Sequence, residues 1–457
     1  MSSRRDFFKK TSSLFAGFLF LTNSRTARSY AANAKIDIAL VGVSGRGQWF
    51  VSTMPRLDAN VVAMCDVNDQ RSAEAFARIP SARKFNDFRK MLDQIGKQLD
   101  GIVVAAPDHN HAVISGAAIQ TGKHVYCEKP LTHDIYEARR LHQLALKHGV
   151  ITQMGNQGTA SSAFRQAVEI IQSGMLGEIR EVHAWNTGGG AGETPLPSGH
   201  EPVPDYLNWD VWLGPASERP FHPEWLKWHR WRDFATGQLG NWAVHTTNVV
   251  FKGMQVDALW TQPNQIIQVQ AETSGIHAAT FPRWEIIQYD IPARNHLPPF
   301  SMHWYNGPGQ APGPRDMIEK KMGRKLDWGD AGEKKWSDHA GCLLIGEKGM
   351  LHSTGHNTTF TLLPEEKFRD VELPQPTLPR SPGHEQEWIR GCQGEGKPMS
   401  SFDYGSRLTE FVLLGNIATQ FEEPIKFNPF AMKIANLERA NDKIHAPYRA
   451  GWERYIQ

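Results

Sequence analysis

The residues best suited to chemistry begin with a glycine-rich turn, Gly42-Val43-Ser44-Gly45-Arg46-Gly47, directly after the apolar run Ile36-Asp37-Ile38-Ala39-Leu40-Val41. Glycines at the first and last positions of a G-x-G-x-x-G pattern permit a tight strand-to-helix turn whose backbone lies against a pyrophosphate. Ser44 stands at the middle position, with Gly45 beside it. Asp66 follows at the end of the next apolar run, Val61-Val62-Ala63-Met64-Cys65, where a carboxylate accepts both ribose hydroxyls and repels a 2′-phosphate. The chemistry indicated is dinucleotide binding, with NAD favoured over NADP; the structural alternative for Asp66 is a strand-end cap. Other chemistries find less support. Asp108, His109 and His111 offer an H-x-H pair without third and fourth ligands at coordinating spacing, so no metal site is expected. There is no nucleophile-elbow serine and no usable pair of glycosidase carboxylates. Six tryptophans, Trp209, Trp212, Trp225, Trp228, Trp231 and Trp242, alternate with His222, His229, Arg230 and Arg232. Indoles beside polar donors suit stacking under a sugar ring, although core or subunit packing accounts for at least half of such a set.

The elements that must position these residues read as alternating short strands and helices. Strand-like runs at 36–41, 61–65, 101–106, 124–127 and 150–154 are separated by helical patterns at Arg46 to Leu57, 112–121 and 134–147. Right-handed crossovers then give a doubly wound parallel sheet over residues 35–155. From Glu178 onward the pattern changes to strand-like runs, Ile179 to Trp185, Ile266 to Ala271 and Trp284 to Tyr289, separated by long loops at 187–232 and 292–315. Loops of that length in a compact domain usually carry function.

Composition bounds the whole. The 457 residues, 40% apolar and 21% charged with 40 glycines and 28 prolines, describe an ordered, loop-rich globular protein of two to four domains. Residues 1–34 hold six basic residues against Asp6, a net +5 that leaves −3 on the rest, which excludes the basic footprint of a nucleic-acid binder. Cys65, Cys127, Cys342 and Cys392 show no CxxC spacing and leave room for one bridge at most. Ser3-Arg4-Arg5-Asp6-Phe7-Phe8-Lys9-Lys10, the apolar run 14–21 and Ala32-Asn33-Ala34 resemble a twin-arginine signal, which directs export of an already folded protein to the periplasm. No other segment is long and apolar enough to span a bilayer, so a soluble mature chain is expected.

Ala105-Ala106-Pro107-Asp108-His109-Asn110-His111, Gly122-Lys123-His124-Val125-Tyr126-Cys127-Glu128-Lys129-Pro130 and the turn at Asn156-Gln157, taken with the glycine turn, resemble the Gfo/Idh/MocA family (glucose-fructose oxidoreductase/inositol dehydrogenase-like). Trp209-Asp210-Val211-Trp212-Leu213-Gly214-Pro215, Phe281-Pro282-Arg283, Gly346-Glu347-Lys348-Gly349, Phe402-Asp403-Tyr404 and Leu408-Thr409-Glu410 extend the likeness towards its twin-arginine-exported members. The resemblance implies an α/β Rossmann domain at 35–155 followed, at 156–457, by an α+β domain with a large, mostly antiparallel open sheet, the active site lying between them. It implies bound NAD, touched by Gly42, Ser44, Gly45, Arg46, Gly47, Asp66, Pro107, Asp108, His111, Glu128, Lys129 and Asn156. Lys129 is the first catalytic candidate, since an ammonium beside a nicotinamide and partly buried loses basicity. His245 is the second, at the position where the family carries an acid/base or substrate-binding histidine. The acidic residues that family members often place four before and three after it are Asn241 and Asn248 here, which fix a tautomer without stabilising imidazolium. The implied activity is oxidation or reduction of a hydroxyl on a sugar, polyol or glycoside by a homo-oligomer holding recycled NAD. Redox-neutral glycoside cleavage by oxidation and elimination, and non-catalytic sugar binding, are the alternatives.

Overall fold

In the computed structural model, which describes residues 35–307, 316, 318–319 and 339–457, the alternating run becomes one parallel sheet. The targeting segment at 1–34 and the end of the expected loop at 308–315 lie outside the described residues. The strands are β1 (Ile36–Val41), β2 (Ala59–Cys65), β3 (Arg83–Phe85), β4 (Gly101–Val104), β5 (His124–Cys127) and β6 (Thr152–Met154), arranged β3-β2-β1-β4-β5-β6. The central strands β1 and β4 are buried along nearly all their length because helices cover both faces, as a parallel sheet requires. The strand order reverses between β1 and β4, so the turns after these two strands open a crevice at one sheet edge.

The intervening helices are α1 (Gly47–Thr53), α2 (Asp69–Arg78), α3 (Phe88–Ile95), α4 (Asp108–Gln120) and α5 (Ile135–His148). The first is shorter than the 46–57 pattern: it passes into a tight turn at Met54–Arg56, where Pro55 has no N–H to continue the ladder. By contrast, α4 starts at Asp108, ahead of the expected 112, because Pro107 sets its N-terminus. All of α4 but Gln120 is buried, since the chain's C-terminal turn lies against it opposite Gly116, where a Cβ would fall 1.9 Å from the Tyr455 carbonyl oxygen.

After α6 (Ser162–Gln172) come β7 (Ile179–Asn186), the short helices α7 (Trp209–Leu213) and α8 (Asn248–Gly253), and then β8 (Ile267–Thr273), β9 (Glu285–Ile291) and β10 (Phe300–Asn306). The sheet continues with β11 (Ala340–Gly346), β12 (Met350–Thr354), β13 (Phe360–Leu363), β14 (Ile425–Asn428) and β15 (Lys433–Ile434). Its order is β13-β12-β11-β7-β10-β9-β8-β14-β15, with only the β7–β10 pair parallel. Strand β10 falls inside the segment expected as loop: Phe300, Met302 and Trp304 alternate into the core, which the preceding Pro298-Pro299 obscures in the sequence.

Two late helices couple the sheets. In α9 (His384–Cys392), Trp388, Ile389 and Cys392 join Ile36, Ile38 and Val103 in the core under the first sheet. The 17-residue α10 (Phe402–Ala418) is buried almost throughout and is tied to α5 by Arg139, whose Nε and Nη2 donate to Glu410 at 2.8 and 2.6 Å. The first sheet ends with β6 at Met154 and the second begins with β7 at Ile179, yet one continuous apolar core runs through both. All four cysteines are free and buried.

Candidate active site

The turn after β1 closes because Gly42 has φ +78° and a Cβ there would lie 2.5 Å from the Ala105 carbonyl oxygen; a Cβ on Gly47 would lie 2.0 Å from the Gly42 carbonyl oxygen. Asp66 braces this turn. Its Oδ2 accepts from Val43 N at 3.0 Å and Ser44 N at 3.2 Å, and its Oδ1 accepts from Asn68 N at 3.0 Å. The carboxylate thus caps the strand end, the structural alternative for it, and also lines the adjoining cavity with lone-pair capacity left over.

That cavity, about 600 Å³, begins at Asp66, Asn68 and Arg71, passes the turns after β1 and β4, and reaches Glu128, Lys129 and Asn241. Of the residues singled out in the sequence, Gly42, Ser44, Gly45, Arg46, Asp66, Pro107, Asp108, His111, Glu128 and Lys129 line it. Gly47, Asn156 and His245 do not: Gly47 shapes the turn from behind, and Asn156 is fully buried with its Oδ1 accepting from Ser400 Oγ. The glycine turn and the Asp66 carboxylate along the cavity wall fit a dinucleotide.

At the far end Glu128 is buried and accepts from Arg46 Nε at 2.9 Å and Gln157 Nε2 at 2.9 Å. Lys129 reaches across from the turn after β5 to the helical turn Leu239–Ala243, where its Nζ donates to Asn241 O at 3.0 Å and Asn241 Oδ1 at 2.6 Å. Burial pushes the Lys129 ammonium below the usual lysine range, and the carboxylates of Glu128 and Asp108 oppose this only in part. Asp108 ties the second turn to the loop from the other sheet: its Oδ2 accepts from Thr236 N at 3.1 Å and Thr236 Oγ1 at 2.5 Å.

The arrangement around His245 differs from the sequence expectation. Neither asparagine orients the imidazole: Asn241 holds Lys129, while Asn248 donates to Thr159 Oγ1 at 2.9 Å and accepts from Tyr404 OH at 2.6 Å. His245 is 4% exposed, its Nδ1 has no hydrogen-bond partner among the described residues, and its ring centroid lies 4.6 Å from that of His356. Burial first, then the charge of Lys129, holds it well below the usual histidine range, so it is neutral. His109 and His111 face separate backbone partners, and among the described residues no cluster of three His, Cys, Asp or Glu is placed to hold a metal.

The tryptophan-rich loop divides. Trp209, Trp212, Trp225 and Trp231 pack with Leu207, Phe221 and Phe234 in a satellite core, and Trp242 packs on His339 and His356. Only Trp212 and Trp228 of the six also line the cavity. Beside Trp228 stands His229, exposed on the cavity wall with ring centroids 3.6 Å apart. Gln238, Gly189, Gly190 and Phe281 complete that end; they come from three segments distant in sequence, and no local pattern marks them.

Residues 36–156 match the family model described as "Oxidoreductase family, NAD-binding Rossmann fold", GFO_IDH_MocA. The first domain is a Gfo/Idh/MocA domain. Inositol 2-dehydrogenase of Salmonella typhimurium is 29% identical over 125 residues, 27% of this chain and 37% of that protein. Levoglucosan dehydrogenase of Pseudarthrobacter phenanthrenivorans is 27% identical over 116 residues, 25% of this chain and 29% of that one. The chain thus spans 37% and 29% of the length of these two curated relatives. Across both sheets the fold is similar to that of solved structures. Levoglucosan dehydrogenase in complex with NADH superposes with TM-score 0.57 at 15% identity over 86% of this chain and 99% of that one. The WlbA dehydrogenase of Bordetella pertussis, in complex with NADH and UDP-GlcNAcA, gives 0.55 at 18% identity over 85% and 98%. At such identities these two show the shared fold.

Proposed function

We propose that this protein is an NAD-dependent oxidoreductase acting on a hydroxyl of a sugar, polyol or glycoside. The observation that carries the reading is the double contact of Lys129 Nζ with Asn241 at the end of the groove that starts at Asp66. A neutral amine has two N–H bonds and one lone pair; with both hydrogens given to Asn241 O and Oδ1, the lone pair is what faces the cavity. Burial favours that neutral form, and an amide oxygen stabilises ammonium less than a carboxylate does. Lys129 Nζ therefore takes the proton of a substrate hydroxyl. NAD, when bound along the groove, supplies the hydride acceptor. Trp228 and His229 form the wall that receives the substrate ring.

The test begins with denatured protein, whose supernatant should contain NAD by mass spectrometry; no dinucleotide, retained or added, would argue against the assignment. A panel of sugars, polyols and glycosides then follows absorbance of the reduced cofactor together with aglycone release. Lys129→Met should lower kcat by about 10²-fold with NAD binding kept, the lower range for a general base. Sugar-dependent reduction supports net oxidation, whereas aglycone release without net reduction supports the redox-neutral route. Ligand binding unchanged in Lys129→Met, with no sugar perturbing the cofactor, would leave binding alone.

Export and assembly complete the proposal. The Arg4-Arg5 segment supports passage through the twin-arginine machinery to the periplasm with NAD already bound, and the open second sheet supports a homo-oligomer. Replacing both arginines with lysine should hold the precursor in the cytoplasm; normal export of that variant would indicate another route. Among the described residues no helix is long and apolar enough to cross a membrane.

A further inference from the structure

His111 lies in the first turn of α4 and is buried, yet both ring nitrogens sit 2.8 Å from backbone carbonyl oxygens, Nδ1 from Pro130 O and Nε2 from Ala106 O. A carbonyl oxygen only accepts. Neutral imidazole has one N–H and one lone pair, so at one of these contacts it would set lone pair against lone pair. His109, two residues earlier, is not so constrained: its Nε2 has both Trp212 O at 2.8 Å and the Asn110 amide nitrogen at 3.0 Å, and its Nδ1 is 3.3 Å from Phe234 O.

We propose that His111 is a fixed imidazolium that ties the turn after β4 to the turn after β5 and sets a positive charge into the cavity wall beside the Lys129-Pro130 turn. The groups around it are Asp108 and His109 on its own helix and Cys127 on β5. Burial opposes the charge, as does the positive end of α4. The influence of Cys127, Asp108 and the Pro130 carbonyl outweighs burial and pushes His111 up to about 10, while burial holds His109 down to about 3. His111 is thus a positioning residue with an electrostatic consequence. Oxidised nicotinamide carries a positive charge that the reduced ring lacks, so a fixed cation at the reacting end disfavours NAD⁺ relative to NADH. The consequence rests on the dinucleotide reading above; the protonation state does not.

Two measurements separate these claims. In protein labelled with ¹⁵N-histidine, the ring signals assigned to His111 by through-bond correlation should show both nitrogens protonated at pH 8, and an unprotonated ring nitrogen there overturns the imidazolium. Titration of wild type and His111→Gln with NAD⁺ and NADH should then show NAD⁺ gaining several-fold in affinity relative to NADH in the variant. Equal weakening of both forms overturns the electrostatic role and leaves a purely structural tie. Failure of wild type to bind either form overturns the affinity consequence together with the dinucleotide reading, while the ring spectrum still decides the protonation state.

Discussion

Lys129 Nζ donates to both the backbone and the side-chain oxygen of Asn241, and the proposed chemistry turns on that pair. With Lys129 acting as a neutral amine, turnover should rise with pH as the solution passes its lowered pKa. Asn241→Asp puts a carboxylate where the amide accepts from Nζ, favours the ammonium, and should move that rising limb to higher pH with a loss of rate at pH 7. A pH–rate profile of kcat/KM for the two proteins checks this; an unmoved limb would mean that another group titrates. His245 is held neutral and should contribute no limb between pH 5 and 8. Asp66 invites a graded substitution, because it serves the turn and the cavity together. Asp66→Asn keeps an acceptor for Val43 and Ser44 but removes the charge and sets an amide N–H against Asn68 N, so calorimetry should show a narrower preference for NAD over NADP alongside a loss of folding stability of about 1–3 kcal/mol. An unchanged preference would assign Asp66 to the turn alone.

At the scale of elements, the site depends on helices that arrive late in the chain. Thr409 on α10 accepts from Leu131 N at 3.2 Å, immediately after the Glu-Lys-Pro turn, and Glu410 also accepts from Trp260 Nε1 at 2.8 Å. The buried Glu410 is held above the usual carboxylate range by burial, with Arg139 opposing, so α10, α5 and the helical turn Val256–Thr261 meet at one acid. Helix α9 has the same relation to the first sheet: Gly101 leaves space for Trp388, whose ring atoms would lie 3.0 Å from a Cβ there. Trp388→Ala should cost about 3–5 kcal/mol in urea unfolding. If it did, with loss of NAD binding but no separate transition, α9 would be part of the nucleotide domain's own core. A second transition would instead show the two sheets unfolding independently.

For the molecule as a whole, buried neutral histidines set its behaviour in acid. Burial holds His109 down to about 3 and His352 down to about 4, whereas both return to about 6.5 on unfolding. The unfolded chain therefore binds more protons, and the stability these groups contribute is complete above pH 6.5 and lost as pH falls towards 4 and 3. At pH 5 the loss is about 2 kcal/mol for each. Ring signals of the two histidines in ¹⁵N-labelled protein should show both unprotonated in the folded state at pH 5, and a protonated ring at that pH would remove its share of the acid destabilisation.

The sequence by itself determined the parallel sheet, its glycine turn, Asp66 and the Glu-Lys-Pro turn, because each depends on neighbours within a few residues: a strand must end before a turn, and a glycine must stand where no Cβ fits. It also carried the change to strand-like runs at 179–185, 266–271 and 284–289, whereas the antiparallel pairing of the second sheet was implied by the family resemblance. Only the tertiary structure decided which side chains face one another. Lys129 and Asn241 are 112 positions apart, and the choice of Asn241 for Lys129 rather than for His245 follows from how a buried helical turn crosses the cavity. The same holds for β10 behind its prolines, for α9 folding back under β1, and for the division of tryptophans between a satellite core and the cavity wall. Local pattern records the period of an element; the partner it meets is set by packing, which sums contacts from the entire chain.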